Sequence, residues 1–144
     1  MQQKRDSDTF KKSQADDLNN MQTGIFGYKG RVHFQTGPCI NEELEALRGL
    51  PKTEVFTQVS TLIDKHIHRN YRLYPGNYVA CDLLNGTETF AGKYTPEEKK
   101  RFEAYLQKKL DLIQLPNKDE DFLRQRILTM YANPAINHLK AIAQ

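Results

Sequence analysis

No apolar run in this chain of 144 residues approaches the ~20 needed to span a bilayer. The opening stretch, residues 1–12, is charged and has no apolar segment, so no secretion leader is expected. Cysteine is scarce. Cys39 and Cys81 stand alone, outside any CxxC or Cys/His cluster, which argues against both a disulfide framework and a zinc site. Charge of one sign is not concentrated along the chain either. Lys and Arg number six against four acids in residues 1–40, five against five in 41–75 and ten against nine in 76–144. A net charge of +3 spread so thinly argues against a dedicated nucleic-acid surface. The six prolines lie between segments and form no low-complexity tract.

Hydrophobic residues make up 38% of the chain and charged residues 27%, with a mean hydropathy of −0.72. Seven Phe and seven Tyr still supply a core. The expectation is one soluble, mainly helical unit of a reducing compartment.

Residues 1–12 have no period and nothing that can anchor to a core. From Ser13, a capping residue, Leu18, Met21 and Ile25 recur at helical steps. Gly24, Gly27 and Gly30 follow as helix end and turn; with Lys29 and Arg31 beside them they could also cradle phosphate, but no strand precedes them. Arg31–Gln35 alternates apolar Val32 and Phe34 with Arg31, His33 and Gln35, the pattern of a strand. A lone strand needs a partner for its backbone groups, so its sheet must lie elsewhere in this chain, in another, or in a missing domain.

Beyond Ile40 the pattern is helical throughout. Asn41 can cap a short helix to Leu47, ended by Gly49 and Pro51. Thr53 can cap a long one whose stripe Val55, Phe56, Val59, Leu62, Ile63 and Ile67 continues to Tyr71, with Pro75 stopping it near Tyr74. Asn77 can cap Tyr78–Leu84, which is apolar almost all round and so expected to be buried. Thr95-Pro96-Glu97-Glu98 is a capping box with Pro at the first helical position, opening a helix with Phe102, Tyr105, Leu106, Leu110 and Ile113 on one side. Asn117 and Glu120 repeat that logic before a last helical stretch, with a kink or restart at Asn133-Pro134.

Catalytic signatures are few. His66 and His68 are two apart on a helix, about 200° around its axis, and cannot share a metal. Asp64 could orient His68 four residues on, although such pairs are commonplace on solvated faces. His138 has no carboxylate four residues away and is taken as structural. The stretch Arg69–Tyr78 mixes two arginines with three tyrosines around a helix break. Arg69, Arg72 and Tyr74 could hold a phosphate or lipid headgroup, or could stack to lock a corner.

The stretches KGRVHFQTGPCI (29–40), HIHRNYRLYPGNYVACDLL (66–84) and MYANPAINHLKA (130–141) resemble the C-terminal portion of the phospholipid/glycerol acyltransferases. Within that superfamily they are most similar to a gut Bacteroidetes group described as 1-acyl-sn-glycerol-3-phosphate acyltransferases. The resemblance implies acyl transfer from an acyl carrier or acyl-CoA to a lysophospholipid at the cytoplasmic membrane face. It also implies a catalytic His followed, after four residues, by Asp, and a later Glu-Gly motif. Neither is present: His33 is followed five residues on by Pro38, His66 by Tyr71, His68 by Leu73 and His138 by Ala143.

No catalytic residue, metal or cofactor is therefore assigned, and the substrate-binding candidates are Arg69, Arg72 and Tyr74. The expected fold is mainly α, a multi-helix C-terminal region with one strand or short hairpin left from an α/β acyltransferase domain. Residues 1–40 would be the end of that domain and 41–144 its helical extension. The expected partner is the chain's own catalytic domain, and through it acyl donor and lysophospholipid. A free-standing helical interaction module, dimerising through the strand, is the alternative.

Overall fold

The computed structural model describes residues 1–143, and it is mainly helical. Seven α-helices occur among the described residues: α1 (Gln2–Asp6), α2 (Gln14–Phe26), α3 (Asn41–Ala46), α4 (Lys52–Arg69), α5 (Pro75–Asn85), α6 (Pro96–Asp111) and α7 (Glu120–Ile142). A 3-10 turn, Ala91–Lys93, links α5 to α6.

Several helix boundaries follow directly from local chemistry. Ser13 Oγ accepts the Asp16 N–H while the Asp16 carboxylate accepts the Ser13 N–H, a closed capping box on α2. Thr95 and Glu98 close the same box on α6. Gly86 ends α5 with φ +63°, a left-handed conformation that glycine adopts without a Cβ clash.

Other boundaries differ from the local signals. α4 begins at Lys52 after Pro51, without a side-chain cap from Thr53. It ends at Arg69 because the Asn70 side chain and N–H both turn back onto the His66 carbonyl, five residues ahead of Pro75. α5 starts at Pro75, which places Asn77 inside its first turn, where its Oδ1 accepts the Tyr74 N–H at 2.9 Å. The N-cap of α7 is Asp119, accepting from the Phe122 N–H, while Asn117 sits at φ 52° in the preceding turn.

The core lies where α5 packs against α6 and α7. Val79, Ala80 and Cys81 meet Phe102, Leu106 and Leu110 from α6 and Leu123, Leu128, Ala132 and Ala135 from α7. Small side chains at Ala80, Ala132 and Ala135 let the α5 and α7 backbones approach, and the Cys81 thiol reaches the Ala132 carbonyl at 3.6 Å. Burial, then the neighbouring Asp82 charge, pushes that thiol's pKa up. Asp82, only 2% exposed, is the buried charged residue of this largely apolar helix. Its carboxylate accepts from Thr87 Oγ1, the Phe90 N–H and the Tyr94 hydroxyl, which folds the α5–α6 connection back over it.

Three expectations need correction. Residues 1–12 do contain an anchor. Gln2 is 4% exposed, and its amide donates to the Asn117 carbonyl and accepts from the Asp119 N–H, both at 2.9 Å. Arg5 then lies 4.2 Å from the Phe122 ring centre and pairs with Asp119. The apolar stripe of α4 is not core, since Phe56, Ile63 and Ile67 are exposed and α4 has no buried residue. Finally, Arg31–Gln35 forms no strand among the described residues, and Val32 and Phe34 stay 61% and 90% exposed. With no neighbouring backbone to pair with, alternation alone cannot hold a strand.

Candidate functional site

The Arg69–Tyr78 corner divides into two clefts, so Arg69, Arg72 and Tyr74 do not converge. Arg69 is exposed at the end of α4 and lines neither cleft. Arg72 lines the first and Tyr74 the second.

The first cleft, about 560 Å³, lies between the extended segment 33–40 and the end of α4. Its floor is apolar, from Pro38, Ile40, Ile63 and Ile67, and its polar groups include His33, His66, Asn70 and Arg72. The Nε2 atom of His66 is buried here with no hydrogen-bond partner among the described residues. The His66 ring lines the cleft, but this nitrogen presents almost no surface to it. The chain's other two histidines lie beside this end of α4. His138 Nδ1 bonds the His68 carbonyl at 2.9 Å, tying α4 to α7, and Asn137 Nδ2 faces His68 Nε2 at 3.5 Å. The His68 ring lies against Tyr71, 5.4 Å between centroids, and makes no hydrogen bond to Asp64 among the described residues. His138 thus has the structural contact expected of it, and the Asp64–His68 dyad is not assembled. No metal-binding cluster of His, Cys, Asp or Glu occurs among the described residues.

The second cleft, about 710 Å³, runs from residues 27–30 to the corner where α5 starts against α6. Tyr74 stands at its rim as the N-cap of α5, with Arg31 5.7 Å over its ring. Phe102, Tyr105 and Tyr131 form one aromatic wall. The Tyr131 ring meets the other two edge-on at 5.4 and 5.9 Å, and the Tyr105 and Tyr131 hydroxyls hydrogen-bond at 2.7 Å. Burial, and then that bond, holds Tyr131 protonated well above the usual phenol range. Gly76 borders the wall closely; a Cβ there would sit 3.1 Å from the Phe102 ring.

This wall was hidden in the sequence, where Phe102, Tyr105 and Tyr131 register only as members of apolar helix faces. Their separation of 26 residues between Tyr105 and Tyr131 is closed by helix packing alone. No family model, curated protein or solved structure matches the chain.

Proposed function

We infer that this chain is the non-catalytic C-terminal region of a glycerophospholipid acyltransferase, whose full-length form acylates 1-acylglycerol-3-phosphate. The observation that carries the reading is the state of residues 14–36. α2 is well capped, yet Leu18, Met21 and Ile25 on its apolar side all face solvent. The strand-patterned Arg31–Gln35 follows it with no sheet beside it. A helix followed by such a segment fits an α/β unit, whose apolar faces are covered when the rest of the sheet lies against them. The chain also exposes 11177 Å², against roughly 7,600 Å² for a compact monomer of 16.7 kDa. The surplus is the size of a substantial interface. In this reading the catalytic domain supplies that sheet, and with it the acyl donor and lysophospholipid sites.

Among the described residues, no helix is long and apolar enough to cross a membrane. The reading places the protein in the cytoplasm, peripheral at the inner membrane face, with lipid contact made by the catalytic domain. The alternative, a helical interaction module that dimerises through residues 31–35, draws on the same uncovered surface.

The deciding experiment is to sequence the genomic DNA ahead of the Met1 codon. The expected result is an in-frame segment encoding His, four residues and Asp, then a Glu-Gly motif. A stop codon with a ribosome-binding site directly before Met1 sinks the acyltransferase reading. Phosphatidate formation by the purified 144-residue chain would instead overturn its non-catalytic assignment. A dimer that survives dilution, with the amides of Val32 and Phe34 protected, would establish the alternative.

A further inference from the structure

The second cleft continues into a neighbouring one of about 410 Å³, and the two share Gly30, Tyr74, Gly76, Phe102 and Tyr105. The resulting groove is lined by five cations, Lys29, Arg31, Arg101, Lys108 and Lys109. Its one carboxylate, Glu98, already accepts the Thr95 N–H at 2.8 Å. None of the five cations forms an ion pair among the described residues. In a chain of net charge +3 this is a strong local concentration. Tallies along the sequence miss it, because the cations come from two stretches some 70 residues apart, each averaged there with acids that do not line the groove.

Two further features narrow the ligand. The first turn of α5, Pro75 to Asn77, borders the groove, so the positive end of that helix points where an anion would sit. Aromatic faces stand among the cations: Lys109 Nζ is 5.3 Å over the Tyr105 ring, Arg31 lies over Tyr74, and Tyr28, 98% exposed, also lines the groove. Lys and Arg take phosphate oxygens through charge-assisted hydrogen bonds, and open tyrosine rings stack on planar bases. A bare polyphosphate uses only the cations and an uncharged aromatic compound only the rings. The combination, in a groove of small-ligand size, fits a nucleotide.

We propose that this groove binds a nucleoside polyphosphate, with the phosphates at Lys108 and Lys109 and the base against Tyr28. The site is independent of the acyltransferase reading and of the DNA experiment that tests it. Its test is calorimetric titration of the 144-residue chain with ATP, with inorganic pyrophosphate and with a single-stranded thymidine oligonucleotide. The expected result is saturable ATP binding that Lys108→Gln combined with Lys109→Gln weakens by roughly tenfold or more, the loss of a charge-assisted contact. Tyr28→Ala weakens ATP binding and leaves pyrophosphate binding unchanged. All three side chains are exposed, so the variants keep the parent's thermal midpoint. Absence of saturable ATP binding overturns the proposal, as does ATP binding that neither variant weakens. Pyrophosphate binding as tight as that of ATP overturns it by showing that no base is read. An oligonucleotide bound more tightly than ATP overturns it in favour of a nucleic-acid surface.

Discussion

The side-chain amide of Asn77 donates to the backbone carbonyl of Tyr131 at 2.9 Å, three residues ahead of Pro134. Proline has no N–H and crowds the carbonyl four residues before it, so the helix is weakest in that turn. Asn77 and Cys81, one turn apart on α5, direct donors at the consecutive carbonyls of Tyr131 and Ala132. The continuous course of α7 through Pro134 is thus supported from a different helix.

Asn77 performs a second task with the other end of the same amide, accepting the Tyr74 N–H. Asn77→Ala leaves both backbone groups without that partner, and urea unfolding should show a loss of about 1–3 kcal/mol with the denaturant slope unchanged. Asn77→Asp keeps the acceptor but turns a carboxylate toward the Tyr131 carbonyl. It should be no more stable than the Ala variant at neutral pH.

Asp82 and Tyr94 predict a pH dependence. Burial, reinforced by the hydrogen bond to Asp82, pushes the Tyr94 phenol up to about 12 from an ordinary value of 10.0. A proton held more tightly in the folded state stabilises it fully below pH 10, and that contribution is lost as pH rises from 10 to 12. Phenolate absorbance should therefore show Tyr94 ionising after the exposed tyrosines, and Tyr94→Phe should shrink the late phase to the part contributed by Tyr131. At neutral pH the Phe variant should lose about 1 kcal/mol. Asp82→Ala should lose more, about 3 kcal/mol, because three donors lose their acceptor together.

Gln2 bridges Asn117 and Asp119 as one edge of a miniature sheet would, tying α1 to the loop before α7. Replacing it with Ala should speed hydrogen exchange at the Asp119 amide and expose residues 1–12 to proteases, while core amides of α5 keep their protection. Unchanged exchange at Asp119 would show that α1 docks through Arg5 and Phe122 alone.

A pair of apolar truncations separates core from uncovered surface. Leu106 is fully buried between α5, α6 and α7, so Leu106→Ala should cost about 2–5 kcal/mol in chemical unfolding. Phe34 is an aromatic residue but lies outside any core, and Phe34→Ala should change stability by no more than about 0.5 kcal/mol. A large loss at Phe34 would mean that residues 31–35 pack on the chain in solution.

Much of the fold was legible from local chemistry. The cap at Ser13, the capping box at Thr95 and the near all-round apolarity of Tyr78–Leu84 each act within one or two turns of backbone. Their effects therefore do not depend on where the rest of the chain goes. The candidate sites were legible only in part: Arg72 and Tyr74 do line clefts, but different ones, and Arg69 lines neither.

What the sequence determined by itself, then, is the mainly helical class, several of the helix limits and the central apolar helix, because helical hydrogen bonds close between residues four apart. The tertiary structure alone decided that Arg31–Gln35 finds no strand partner among the described residues, that Gln2 is an anchor and that Asn77 ties α5 to α7 while closing the start of α5 from inside its first turn. It also gathered five dispersed cations around one aromatic wall. Each of these depends on a partner tens of residues away, and no local period specifies where packing will bring that partner.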